Sequence, residues 1–500
     1  AGNIQLTQGG GRIRLNGAYN TSTELYRLTA DAKAFPVHRF LPTMRLSAFT
    51  GTIKTQGRGT DFLNPKSSTN ISLRIRKFSY GKYVLDGLNG DVSKHGELLS
   101  AHVNSQNRIL GGNFTYKGRV NSKLVDGHIR GWLHRVDLHA MGIIKKRYVV
   151  STWADLDVRS DMKNSYYVSG PLRSFRFQQE GSKSSHLLAA GNFDVRADVH
   201  ANSLDSHLKG HLSEADLQAL GLMDKHYITS ANGDITLRSD MKKYYAVSGN
   251  IGHLLLSELR KGKRVPLAEG NFNLDATMRG DQIGGTVNGV FPHVDLYQLG
   301  IVDKAMTSSF TANTSFAMSG KDNLNVRGLL GNVRIADQNN IYTPGDVSLD
   351  LMSKRDAVHA SVDGGDFHLS TAFNSSVNQL AENGKRIYKT IRDQLKNRRI
   401  DQPAILRQLP TGHFTLRSGR NNLLFNLLKQ DGYAFSQADI NLTSSPEKGL
   451  EGYISVDSLV YDDIRLDSLR ADLTSVNGQL NYKLSVANNP DNSYPYHGNL

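Results

Sequence analysis

Two pairs of side chains in this sequence have the types and spacing that chemistry uses. His134 and His139, five residues apart, could share a metal ion on a tight turn. Asp155 and Asp157, on one face of an alternating stretch, could divide acid and base duties. The chain supplies its own control, because it repeats. At a constant interval of 79 residues (213 − 134 and 292 − 213) the histidines become Ser213 and Gln218, then Pro292 and Tyr297. The aspartates become Asp234 and Thr236, then Asn313 and Ser315. A site that every unit needs would persist, whereas a wetted face drifts in this way. No H-E-x-x-H pair, G-x-S-x-G elbow, phosphate loop or dinucleotide fingerprint occurs, and Gly57-Arg58-Gly59 lacks a third glycine. With no cysteine in 500 residues, thiolate metal sites, thiol nucleophiles and disulfides drop out together. The expectation is a protein that is not an enzyme, with no catalytic residue, no metal and no cofactor.

What remains to be positioned is the repeat itself. Its most regular part begins at Gly131 (GWLHRVDLHAMGI), Gly210 (GHLSEADLQALGL) and Gly289 (GVFPHVDLYQLGI). Asp137, Asp216 and Asp295 can each cap the free N–H groups of a short helical turn, and Gly142, Gly221 and Gly300 can take the left-handed conformation that ends it. Between them Leu138 and Met141, Leu217 and Leu220, and Leu296 and Leu299 sit three apart and face one way. This stripe either lines an apolar groove or covers a sheet edge. The same register brings back Gly112-Asn113-Phe114 as Gly191-Asn192-Phe193 and Gly270-Asn271-Phe272. Self-similarity at a fixed interval marks a protein in which each unit packs on its neighbours.

Between the turns the sequence alternates. Phe193, Val195, Ala197 and Val199 point one way and their polar neighbours the other, as do Phe272, Leu274, Ala276 and Met278, and in the first segment Ile71, Leu73 and Ile75. Turn residues recur often enough to predict roughly six strands per repeat, an advance of ~30 Å. The predicted fold is all-β: an elongated, repetitive antiparallel sheet curled into a groove, with short helical turns. Its segments are an N-terminal sheet (1–110), the tandem repeats (111–345), further strands (346–373), a helical insertion (374–410) and a C-terminal sheet (411–500). In the insertion Leu380, Ile387, Ile391 and Leu395 follow helical spacing among Lys385, Arg386, Lys389, Arg392 and Lys396. Such a basic amphipathic helix suits an anionic membrane surface, a plug for the groove or a partner, or simply covers one end of the sheet.

Sixty lysines and arginines against 46 acidic residues give a net charge of +14, which favours anionic lipid headgroups, lipopolysaccharide phosphates or nucleic acid. The cations lack the interleaved aromatics of a base-stacking platform, so nucleic acid is not expected. No run approaches the ~18 apolar residues of a spanning helix, and no secretory leader is visible. The sequence reads as part of a longer chain whose membrane anchor lies outside it.

Tandem β repeats with an A-D-L-Q-A-L-G-L box (Ala215 to Leu222), then a basic helix, then Pro410-Thr411-Gly412-His413-Phe414 and Gly419-Arg420-Asn421-Asn422-Leu423, resemble the TamB branch of the AsmA-like superfamily in its Bacteroidota form. The resemblance covers most of the chain. It implies a taco-shaped sheet with an apolar concave face, held to the inner membrane by an N-terminal helix and reaching across the periplasm to an outer-membrane partner of the TamA or Omp85 type. It also implies a role in outer-membrane biogenesis, either as a phospholipid conduit between the membranes or as a scaffold for translocation and assembly of β-barrel proteins. On the conduit reading the residues expected to touch acyl chains are Phe114, Phe193, Val195, Phe272, Leu274, Met278, Leu138, Leu217, Leu220, Leu296 and Leu299. A surface adhesin built as a closed β-solenoid is the remaining alternative.

Overall fold

Period-two alternation is realised as long strands, most of them paired antiparallel with the next long strand in the chain. The computed structural model describes residues 1–40, 46–80, 83–141, 144–181, 184–320, 323–396, 401–462, 464–476, 479–492 and 497–499. The chain forms two compact units, Ala1–Tyr245 with Ile251–Val265, and Ala246–Asn250 with Pro266–Leu500.

In the first unit the pairing runs strand to strand from Gly2–Gln8 to Tyr227–Ser239, the small pair Ser79–Tyr80 and Tyr83–Val84 excepted. One 79-residue interval contains the four strands Tyr148–Ser160, Ser165–Glu180, Ser185–His200 and Ser203–Asp216, rather than six. The discrepancy has a physical reason. Glycine, serine and aspartate residues that look like turns lie inside strands of 13 to 16 residues, many of them beside β-bulges. Register breaks fall between Gly111 and Gly112, Leu133 and Val136, Ser151 and Trp153, Leu172 and Phe175, Ala190 and Gly191, and Leu212 and Ala215. Because each strand breaks at the level of its neighbours, the bulges line up across the sheet. A bulge bends its strand, so this line is a crease.

The second unit repeats the plan. Its strands from Gln282–Asp295 to Phe367–Phe373 pair in order, with breaks at Phe291 and Val294, Ser309 and Thr311, and Leu330 and Val333. Phe367–Phe373 then pairs with Gly412–Ser418, so the whole insertion leaves and rejoins the sheet between two adjacent strands. The insertion holds the predicted basic helix, Val377–Lys396, and a second helix, Gln402–Leu406, capped by the Asp401 side chain. Residues 411–500 are not sheet alone. Asn422 accepts the Phe425 N–H at 2.9 Å and starts an eight-residue apolar helix, Leu423–Gln430.

Candidate apolar groove

The predicted turns form, and each aspartate caps as its position demands. Asp137, Asp216 and Asp295 accept the N–H of Ala140, Ala219 and Gln298 through Oδ1 at 2.9, 3.0 and 2.9 Å. Gly221 and Gly300 end their turns at φ of +78° and +76°; Gly142 lies outside the described residues.

What sequence reading missed is how the second oxygen of Asp137 and of Asp216 is used. Asp137 faces Arg135, which also pairs with Glu180. Asp216, buried to 3% side-chain exposure, has Oδ2 2.8 Å from Nε2 of both His186 and His226. The repeat concealed this because the partner changes from copy to copy. Burial pushes the Asp216 carboxyl up, but the Ala219 N–H and the two imidazoles outweigh it and hold the pKa below the ordinary 3.8. The folded value is depressed, so this stabilisation is complete above pH 3.8 and is lost as the pH falls through the folded pKa. Asp216→Ala removes both cap and anion and is expected to cost about 2 kcal/mol, against about 1 kcal/mol for Asp295→Ala. Urea midpoints with unchanged slopes measure the difference; equal losses would mean the histidines contribute nothing.

Each member of the two candidate pairs has a partner outside its pair. His134 stacks beside Trp132 with ring centroids 6.3 Å apart, and His139 meets the Ile144 carbonyl at 3.3 Å. Asp155 and Asp157 both pair with His128 on the wet face. Among the described residues no group of three histidines or carboxylates could hold a metal ion.

The apolar side chains gather on one face in lateral rows. In the first unit Val103, Phe114, Gly131, Ala154, Leu172, Phe193 and Gly210 stand opposite one another on successive strands. Beside them, Val195 faces Leu208 and Leu208 faces Ile235. In the second unit Leu274, Val287, Thr314, Gly328, Leu349, Val362, Leu369, Leu416, Ile440 and Ile454 form one such row. Phe193, Val195, Phe272, Leu274 and Met278 are half-buried, with exposed polar residues between them.

Half-buried is the informative state. Among the described residues the first unit has one cluster of fully buried apolar side chains and the second has two, but none of the three includes Phe114, Phe193, Val195, Phe272, Leu274 or Met278. Leu138, Leu217 and Leu220 are also half-buried. Leu296 and Leu299 differ, for they pack with Val302, Met306, Val333 and Ile335 under Leu423 and Leu427 of the apolar helix. The other side of that helix sets Phe425 and Leu428 against Phe435, Ala438 and Val456. The face is therefore stoppered there. The stopper carries a defect, because Asn426 is 1% exposed and its Oδ1 has no partner among the described residues. Lys304 and Asp431 tether its far end.

At the end of the second unit's strands away from the crease, a cleft of about 480 Å³ is lined mainly by Thr277, Arg279, Gln282, Ser319, Asn323 and Asn325, with Ile283, Met318, Leu324 and Met352 among them. A larger hollow of about 840 Å³ lies on the wet face among Arg196, Asp198, Asp205 and Arg238. Both hollows are lined largely by polar side chains. No protein-family model, curated protein or solved structure matches the chain.

Proposed function

We propose that the half-buried apolar face of each unit is a groove for phospholipid acyl chains. On this reading the protein works without catalysis, in the periplasm, carrying lipid between inner and outer membranes in support of outer-membrane biogenesis, as its resemblance to the TamB branch implies. The observation that carries the reading is the pair of conditions met by Phe114, Phe193, Val195, Phe272, Leu274 and Met278: they lie in the apolar rows, and no other side chains cover them completely. An apolar row left half-wet loses part of the ~25 cal/mol per Å² that burial would give, and an acyl chain restores it. At ~0.8 kcal/mol per CH₂, a long acyl chain gains more than about ten kcal/mol on leaving water. Neighbouring strands offer similar side chains, so occupancy at one row differs little from the next, which suits movement better than storage. A β-solenoid adhesin would need a closed interior, and an open meander of sequential strands favours the groove.

The test is a lipid extract of the purified chain read by mass spectrometry. Copurified phospholipid, replaced by labelled lipid from donor vesicles, is the expected result. A lipid-free chain that takes up none from vesicles would sink the proposal.

A further inference from the structure

We propose that the helix Val377–Lys396 is a docking surface for a bilayer that carries anionic phospholipid headgroups. The helix is an excursion from the sheet rather than part of it, because Phe373 and Gly412 on either side of the insertion pair directly. Among the described residues its side-chain hydrogen bonds to the rest of the chain run only to the segments next to it: Gln379 to Ser375 and Ser376 just before it, and Thr390 to Gln408 and Gln394 to Asp401 in the following segment. Leu380, Asn383, Ile387 and Thr390 are half-buried.

The other side is unusual in composition. Tyr388 is 68% exposed and Ile391 39%, and Lys385, Lys389, Arg392 and Lys396 are all exposed beside them. At 3.6 residues per turn these six side chains share an arc of about 160°. Among the described residues no ion pair engages Lys385, Lys389 or Lys396; Arg392 approaches Asp393 at 3.7 Å and lies over the Tyr388 ring. A solvated helix gains nothing from a tyrosine and an isoleucine turned outward. A plug for the groove would have to bury the cations among apolar rows, and the helix Leu423–Gln430 already fills that role with leucine and phenylalanine. An anionic interface satisfies both features at once, since the cations meet headgroups while the tyrosine and isoleucine enter the headgroup boundary.

The experiment floats the full chain with vesicles of phosphatidylcholine alone and of an equal mixture with phosphatidylglycerol. Binding is expected to the mixture and to weaken steeply with added salt. The variant K385Q/K389Q/R392Q/K396Q is expected to bind the mixture about a hundredfold more weakly. Its thermal transition should not move, because every altered side chain is exposed. Tyr388→Ser is expected to lose about fivefold on the same vesicles with its salt dependence unchanged, which counter-charge alone would not produce. Equal binding to neutral vesicles, or unchanged binding by the quadruple variant, overturns the proposal. It does not rest on the groove: the quadruple variant is expected to lose vesicle binding and keep its copurified lipid.

Discussion

Aspartate at Val195 or Leu274 is expected to stop lipid transfer and leave the sheet folded. Both side chains stand in the apolar rows, Val195 opposite Leu208 and Leu274 opposite Val287. Both are half-buried, so a carboxylate at either place keeps part of its water and the substitution costs about 1 kcal/mol of stability. An acyl chain passing that carboxylate must strip the rest or leave the row. Desolvating an unpaired carboxylate costs several kcal/mol, so even ~3 kcal/mol on the path slows transfer about a hundredfold. Transfer between donor and acceptor vesicles reads this directly. The paired control is Asp at Arg196, one residue along on the wet face, which should transfer normally. If Val195→Asp transfers at the wild-type rate with its fold intact, these rows do not carry lipid.

The contrast between the open rows and the stoppered ones explains how far the sequence could be read. Alternation in Phe193 to Val199 and Phe272 to Met278 was legible because the face each side chain takes depends only on its own strand. The capped turns were legible because Asp216 and Ala219 are three residues apart. Bulges were not, because two residues against one can be recognised only when the partner strand is known. That is why long strands looked like more, shorter ones. The helix Leu423–Gln430 was hidden by its length: eight residues give barely two turns of periodicity, and the sequence Asn422-Leu423-Leu424-Phe425 suits a buried strand equally well. Whether Leu296 is open or filled depends in turn on that helix, more than a hundred residues downstream. The histidines on Asp216 were out of reach for the same reason, since His186 is 30 residues away and sits on another strand.

The repeated glycines separate two demands that a sequence cannot tell apart, and one substitution in each class shows which is larger. Gly221 ends a turn at φ +78° with no atom within 4 Å of where a Cβ would stand. Gly221→Ala therefore meets only backbone strain, about 1 to 2 kcal/mol. Gly210 stands opposite Phe193, at φ +159°, and a Cβ there would overlap the Asn192 carbonyl oxygen and come within 2.8 Å of the Phe193 Cα. Gly131 and Gly289 stand opposite Phe114 and Phe272, and a Cβ added there would come within 2.6 and 2.5 Å of the phenylalanine Cα. A β-bulge lies beside each pair. Backbone, unlike a flexible side chain, cannot move aside without breaking ladder hydrogen bonds. Gly210→Ala is thus expected to cost about 3 to 5 kcal/mol, strain and overpacking combined. Urea unfolding of the two alanine variants decides the matter: losses of equal size would mean that the crease needs only a permissive backbone, and that the Phe–Gly pair recurring at 79-residue intervals is a packing convenience rather than the feature that bends the sheet.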